Sequence, residues 1–519
     1  FGAQLPGISQ GRLPDGTATV VNFPGTPSPG ESNYLPLTNV VINEVLSHTD
    51  PPLEDAIELY NATAAPVSIS GWFLSNSQSQ PRKYLIPDAV VIPAGGFKVF
   101  YEYQFNPDFS GVPPSFSLNS AHGDEVWLSQ ADASGNLSGY RTHVKFGAAP
   151  NGVSFGRYLT SVGVDVVALT GRTFGADNPN SLGEFRAGTG LPNASPVIGP
   201  VVITEIMYHP ITGAGTNATE NADEEFIELY NFTVTPVPLY DSAFPENTWR
   251  LHGAVDYAFP ASMILPAGGR LLVVGFDPVN QPAVLSAFRG KYGLPDNLTI
   301  LGPYRGRLDN SGESVSLSRP DLPQMPPQPD AGFVPYVLVD RVAYSDTSPW
   351  PTNADGGGTS LQRLVAGAYG NDPANWKAAA PTPQSTDFGA VDSDGDGLSD
   401  LWEIVNHLRP DDPEDAAFDF DSDGFTNLQE YIAGTNPRDA GSALNFETEI
   451  LSGTTFSITF TAMAGKSYTV QYRDSLSSGF WQKLADVAPQ AASTVVQVND
   501  SGANGAANRY YRIVTPAVP

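Results

Sequence analysis

Cysteine is absent from the 519 residues, so a disulfide framework, a thiolate metal site and a thiol nucleophile are all excluded. Basic residues are scarce: 26 Lys and Arg stand against 55 Asp and Glu, for a formal charge of −29. A surface of that sign repels a phosphate backbone and argues against nucleic acid as a direct partner. It also favours bridging by cations over direct contact with an acidic membrane. Histidine occurs six times, and neither GxSxG, GxxxxGK[ST] nor a dinucleotide fingerprint is present, which leaves no triad or phosphate cradle. No apolar run approaches the length of a membrane span. No signal peptide is present, and the start at Phe1 rather than Met reads as a processed or cleaved end.

What the chain has instead is turn chemistry. Its 51 Gly and 47 Pro favour many short strands over helical bundles. Internal repetition dominates the first three quarters. VVINEV at 40–45 returns as VVITEI at 201–206, and DAIELYN at 55–61 as EFIELYN at 225–231. IPAGG at 92–96 returns as LPAGG at 265–269, and LNSAHGDEVWLS at 118–129 as LDNSGESVSLS at 308–318. The order is kept, so these are two copies of one domain. Alternation such as Phe97, Val99, Tyr101 predicts half-buried antiparallel sheets, and hence a β-sandwich in each copy. A third, partial copy stands at the start: FGAQLPGISQGRL at 1–13 aligns with FGAAPNGVSFGRY at 146–158.

The run I-N-E-V, E-L-Y-N, G-W-F-L, I-P-A-G-G and L-N-S-x-x-G-D-E-V resembles the lamin-tail domain. The resemblance covers about residues 37–186 and 200–387. It implies an immunoglobulin-like sandwich, often found in tandem in exported bacterial proteins. The second copy departs from the pattern with insertions around 211–223 and 320–336, and with Thr248-Trp249-Arg250-Leu251 at the Gly-Trp position.

Two twelve-residue strings follow the repeats, DSDGDGLSDLWE at 392–403 and DFDSDGFTNLQE at 419–430. In the EF-hand pattern, positions 1, 3, 5, 7, 9 and 12 aim oxygens at one hard cation. The first loop offers Asp392, Asp394, Asp396, the Leu398 carbonyl, Asp400 and Glu403. The second offers Asp419, Asp421, Asp423, the Phe425 carbonyl, Asn427 and Glu430. Gly397 and Gly424 take the sharp turns. Residues 389–442 hold 14 acidic and two basic side chains, and such crowding is relieved by cations among the carboxylates. Both loops are expected to bind Ca2+. Leu401, Trp402, Val405 and Leu408, then Leu428, Tyr431 and Ile432, have helical spacing and should pack the two exit helices together. Two prolines in APTPQST (380–386) leave no entry helix, so the cassette resembles those of dockerins and thrombospondin-type repeats.

The expected fold class is therefore mainly β: tandem immunoglobulin-like sandwiches, a short helical calcium cassette and a small C-terminal sandwich. The domains run 1–36 (closing segment of an incomplete repeat), 37–198, 199–388, 389–442 and 443–519, the last resembling a fibronectin-type sandwich with Trp481 in its core. Glu44, His48 and Glu58 recur as Glu205, His209 and Glu228; two carboxylates and a histidine suit a metal, but strand glutamates accepting loop hydrogen bonds are the better reading. No residue is assigned a catalytic role. The chain reads as a non-enzymatic, calcium-binding structural or adhesive protein of the bacterial exterior or cell surface. Millimolar calcium outside cells suits such loops. Head-to-tail self-association into filaments is the expected partner mode, with residues 1–36 docking on another subunit slightly favoured over their own. Extracellular polysaccharide is a further partner. The alternative is a non-catalytic accessory or carbohydrate-binding fragment of a larger exported enzyme.

Overall fold

The computed structural model describes all residues except 1–2, 110, 112–113, 176–178, 213–218, 327, 329, 384–393, 400–401, 404–405, 407, 410–411, 465, 477–479, 491–492, 504–507 and 518–519. It is mainly β, as the alternation and the turn residues require. Two compact units arise, Phe1–Leu364 with Ala368–Ser385, and Val365–Gly367 with Thr386–Pro519.

The first unit holds both repeats. In repeat 1, one sheet runs Phe97–Tyr101, Ala56–Asn61, Val40–Leu46, Ser154–Thr160, Gly163–Ala168, all antiparallel. The opposing sheet runs Leu35–Pro36, Leu137–Phe146, Asp124–Ala131, Phe73–Ser75, Tyr84–Leu85. Between them lies a core that includes Ile42, Ile57, Trp72, Leu74, Phe100, Val126 and Leu128. Repeat 2 uses the same plan, with Val201–Met207 and Phe226–Asn231 central in one sheet and Gly312–Pro320 in the other. Trp249 is buried to the same degree as Trp72, and the neighbouring register is equivalent: Leu74 pairs with Leu128, Leu251 with Leu317. The altered Gly-Trp motif thus keeps its tryptophan in place.

The alternation underestimated the burial. Val40–Leu46 and Val201–Met207 are buried along their whole length. The outer face of the first sheet is covered by a second cluster, in which Val99 and Tyr101 meet Phe174 and Phe185. The sheet is therefore sandwiched on both faces. In repeat 2 the outer face is covered by the helix Pro282–Tyr292, whose Phe288 packs among Phe226, Phe276 and Leu272. This helix was not anticipated, although Pro282 at its first turn and left-handed Gly293 just beyond its end are its proper boundaries. The two repeats join through Asp165, which accepts from Arg341 (2.6 Å), the Tyr369 hydroxyl (2.6 Å) and Asn371 (2.8 Å).

Residues 3–36 lie on repeat 1 of their own chain. A hairpin, Ser9–Arg12 with Val20–Phe23, is followed by Leu35–Pro36, which pairs in parallel with Tyr140 and Arg141. Tyr34 meets Trp127 edge-on at 5.5 Å. The segment docks on its own chain rather than standing free for another subunit, and residues 34–36 already belong to repeat 1.

The second unit pairs the cassette with the last sandwich. Thr448–Ser452, Thr455–Ala462 and Thr494–Asp500 form one sheet; Gln482–Val487, Tyr468–Arg473 and Tyr510–Val514 form the other. Ile458, Phe460, Tyr468 and Val470 make the core. Trp481 is not in it: it is half-buried, with Arg473 and Arg512 over its ring at 5.3 and 4.5 Å. Its flat face serves two guanidiniums rather than the apolar interior.

Candidate metal centre

Both acidic loops fold by the same local bonds. In the first, the Leu398 N–H donates to Asp396 (2.8 Å) and the Asp396 N–H to Asp394 (3.2 Å). In the second, the Phe425 N–H donates to Asp423 (2.8 Å) and the Asp423 N–H to Asp421 (3.2 Å). These bonds use one oxygen of each carboxylate and turn the chain so that alternate side chains converge. The turn requires left-handed backbone at Gly397 (φ 94°) and Gly424 (φ 99°), where a side chain would be strained. The result is two clusters, Asp394 with Asp396 and Glu403, and Asp419 with Asp421 and Asp423, each with donor oxygens within 4.8 Å of one another.

The remaining positions close around them. Helix Asn427–Ala433 starts with a capping box of Thr426 and Gln429, which fixes Asn427 and Glu430 at its first turn, both buried. Oxygens on Asp396, Asp421, Asp423, Asn427 and Glu430 are buried and accept no hydrogen bond. Burial pushes the Glu430 carboxyl up to about 7, and Asp421, Asp423 and Asp419 push it further in the same direction. Buried oxygens without donors are costly unless a cation takes their place. An all-oxygen donor set around a small volume fits a hard divalent ion. Asp392, Asp400 and Leu401 of the first loop, and Val405 beyond it, lie outside the described residues. Trp402 and Tyr431 meet edge-on at 5.1 Å, over Leu398, Leu408, Ala416 and Leu428, so the two loops share one small core.

Two residues that serve these loops escaped the spacing argument. Asp415 is buried; its carboxylate accepts from the Arg409 N–H at 2.8 Å, and its carbonyl accepts from Asn427 at 2.7 Å. Burial raises its carboxyl above the ordinary range, as do Asp396, Asp412 and Asp394. It therefore holds Asn427 of the second loop and lies close enough to Asp396 and Asp394 to feel their charge. Thr435 donates to Glu430 at 3.2 Å and orients the closing carboxylate. Neither residue lies inside a twelve-residue window, and only the acidic density around Asp415 could have signalled it.

The repeat glutamates are a separate matter. Glu44 faces Glu58 across the sheet, and Glu205 faces Glu228. Glu44 accepts from Ser154 (2.5 Å) and from the Thr173 N–H and hydroxyl. Glu205 accepts from Ser360 (2.5 Å) and the Thr382 N–H (3.1 Å). Each carboxylate thus holds a loop to the sheet. His48 and His209 turn to Ala149 and Asp355 instead of joining these pairs. Among the described residues, close groups of three or more potential ligands occur only in the two acidic loops.

Residues 36–144 match the Lamin Tail Domain family model. The match falls on repeat 1, from the edge strand Leu35–Pro36 to within Leu137–Phe146, and agrees with the sandwich described above. The lamin-tail domain is a non-catalytic fold, in keeping with structural roles for its buried glutamates. Among solved structures, the chain is similar to a DUF4876 family protein from Bacteroides thetaiotaomicron, at 11% identity. That alignment covers 50% of this chain and 90% of the other, with a TM-score of 0.24. No curated protein matches.

Proposed function

We propose that the chain is a non-catalytic structural or adhesive protein of the cell exterior, whose C-terminal cassette binds two calcium ions. The observation that carries this reading is the second loop's cluster of Asp419, Asp421 and Asp423, together with the buried, donorless oxygens on Asp421, Asp423, Asn427 and Glu430. Asp419, Asp421, Asp423, the Phe425 carbonyl, Asn427 and Glu430 would hold one ion. Asp392, Asp394, Asp396, the Leu398 carbonyl, Asp400 and Glu403 would hold the other. The ion supplies charge neutralisation and stiffness and no chemical step. Millimolar extracellular calcium suits modules of this kind, which supports an exterior location. Polymerisation through residues 1–36 has no support, because that segment is engaged on its own repeat.

The test is calorimetric titration of the chelator-stripped chain with calcium. Two ions per chain with millimolar or tighter affinity are expected, falling to one in Asp421→Asn/Glu430→Gln. Absence of uptake at millimolar calcium would reject the proposal.

A further inference from the structure

The junction between the N-terminal hairpin and repeat 1 forms an open cleft of about 830 Å³. In a chain with only 26 basic residues, three of them line this one space: Arg82, Lys83 and Arg141. A single carboxylate, Asp15, lines it with them, and that carboxylate accepts the Asn33 N–H at 3.2 Å. Arg141 is 2% exposed. Among the described residues its one side-chain hydrogen bond runs to the Gln78 carbonyl at 3.3 Å, its guanidinium lies 6.0 Å from the Tyr34 ring, and its Nε is buried with no acceptor. Lys83 donates to Asn76 at 2.6 Å, a neutral partner. Burial lowers both Lys83 and Arg141 from their ordinary values, against the opposing pull of Asp124 on Lys83 and of Asp15 and Glu31 on Arg141.

The second repeat shows that these cations are not a requirement of the fold. Lys83 and Arg82 precede Tyr84, which pairs with Leu74; the equivalent Tyr257 pairs with Leu251 and is preceded by Asp256 and Val255. Arg141 pairs with Ser129, while the equivalent Ser318 pairs with Leu338. The same sandwich therefore builds itself without any of the three charges. Holding a guanidinium in the interior is costly unless an anion meets it.

We propose that this cleft binds an acidic oligosaccharide, with Arg82, Lys83 and Arg141 taking its carboxylate or sulfate groups. The volume lies in the range of ligand pockets and is far larger than a lone inorganic anion needs. The lining also offers the side-chain amide of Gln80 and the Thr17 and Ser32 hydroxyls, which suit a hydroxyl-rich ligand. It offers no aromatic ring, so a nucleobase has nothing to stack on. Guanidiniums pair bidentately with carboxylates and sulfates. This site is distinct from the calcium loops and stands whether or not they bind.

The experiment titrates the full chain, in chelator, with three oligosaccharides: an oligogalacturonate, a sulfated one and a neutral one of equal length. A single-stranded oligonucleotide is the fourth ligand. Binding of at least one acidic sugar is expected, weakening as salt rises, with none for the neutral sugar. Arg82→Gln/Lys83→Gln, both outside the core, should weaken binding at least tenfold with an unchanged melting profile. Preference for uronate or for sulfate supports the site and names the group it takes. The proposal is overturned if no acidic sugar binds in chelator, if the double variant binds as before, or if the oligonucleotide binds as tightly through the same residues. Binding that needs calcium would run through the acidic loops and also counts against it.

Discussion

Glu58 and Glu228 occupy equivalent positions in the two repeats, yet their charges are handled differently. Glu228 accepts from Thr204 (2.6 Å) and from Arg270 (2.8 Å), and both partners of the ion pair are sheltered. In repeat 1 the residue facing Tyr60 is Phe97, where repeat 2 has Arg270 facing Tyr230. Among the described residues Glu58 therefore has only Asn43, at 2.7 Å. Burial pushes its carboxyl from 4.5 up to about 8, with Glu44 adding to the rise. Below pH 4.5 the proton is held in folded and unfolded chains alike, and the site costs nothing. As pH climbs towards 8 the unfolded chain releases a proton that the fold retains, so stability is progressively lost. Glu58→Gln keeps the neutral form, and it should gain on the parent by about 1–2 kcal/mol between pH 5 and pH 8. Glu228→Gln strands Arg270 and should lose about 1–3 kcal/mol at neutral pH. Denaturant unfolding at the two pH values checks both. Equal effects of the two substitutions would mean that the Phe97/Arg270 difference has no electrostatic consequence. Sequence alone placed both glutamates in equivalent strands but could not separate them, because the deciding neighbour is on another strand.

Elements were legible in the sequence where a short period governs them and illegible where burial comes from elsewhere. The order I-N-E-V, E-L-Y-N and A-G-G located the strands of both repeats, since neighbouring strands of a sandwich recur in fixed order. The acidic clusters were legible because the spacing of a turning loop brings alternate carboxylates together, as it does for Asp394, Asp396 and Glu403 and for Asp419, Asp421 and Asp423. The helix Pro282–Tyr292 was not, since its apolar face meets strand residues Phe226 and Leu272 that are distant in sequence. Trp481 misled for the converse reason: an aromatic in a β segment reads as core, whereas two arginines on neighbouring strands claim it. Two predictions belong here. Phe288→Ala removes the helix's deepest anchor and should cost about 3–5 kcal/mol in chemical unfolding of the first unit; a loss under about 1 kcal/mol would show that the helix is dispensable to repeat 2. In the second acidic loop, Ser422 is left-handed (φ 64°) where the first loop has Gly395 (φ 79°). Ser422→Gly should relieve strain and tighten calcium binding a few-fold, while Gly424→Ala, at φ 99°, should weaken it by tenfold or more. Paired calcium titrations decide, and identical affinities would show that the turn does not limit binding.

At the scale of the whole molecule, the two compact units should respond differently to calcium. All twelve proposed ligands fall in the second unit. There the cassette is not isolated from the last sandwich. Lys466 donates to the Tyr431 carbonyl at 2.8 Å and lies over the Tyr431 ring, and the Tyr468 hydroxyl reaches the Ala433 carbonyl at 3.3 Å. Tyr468 is also at the centre of the sandwich core. Stabilisation of the helix Asn427–Ala433 by the proposed ion would thus pass to the last sandwich through side chains that both elements share. Mass action sets the size: calcium at a hundredfold excess over its dissociation constant adds about 2.7 kcal/mol per site. Scanning calorimetry of the full chain should accordingly show at least two transitions. Chelation should lower the one that carries the cassette and the last sandwich together, and leave the two repeats of the first unit where they were. Glu430→Gln should reproduce part of that shift with calcium present, since it leaves the first loop intact. If chelation instead moved every transition equally, the ion would be acting on the repeats as well. If it moved none, the donorless oxygens of the second loop would need another explanation than a cation.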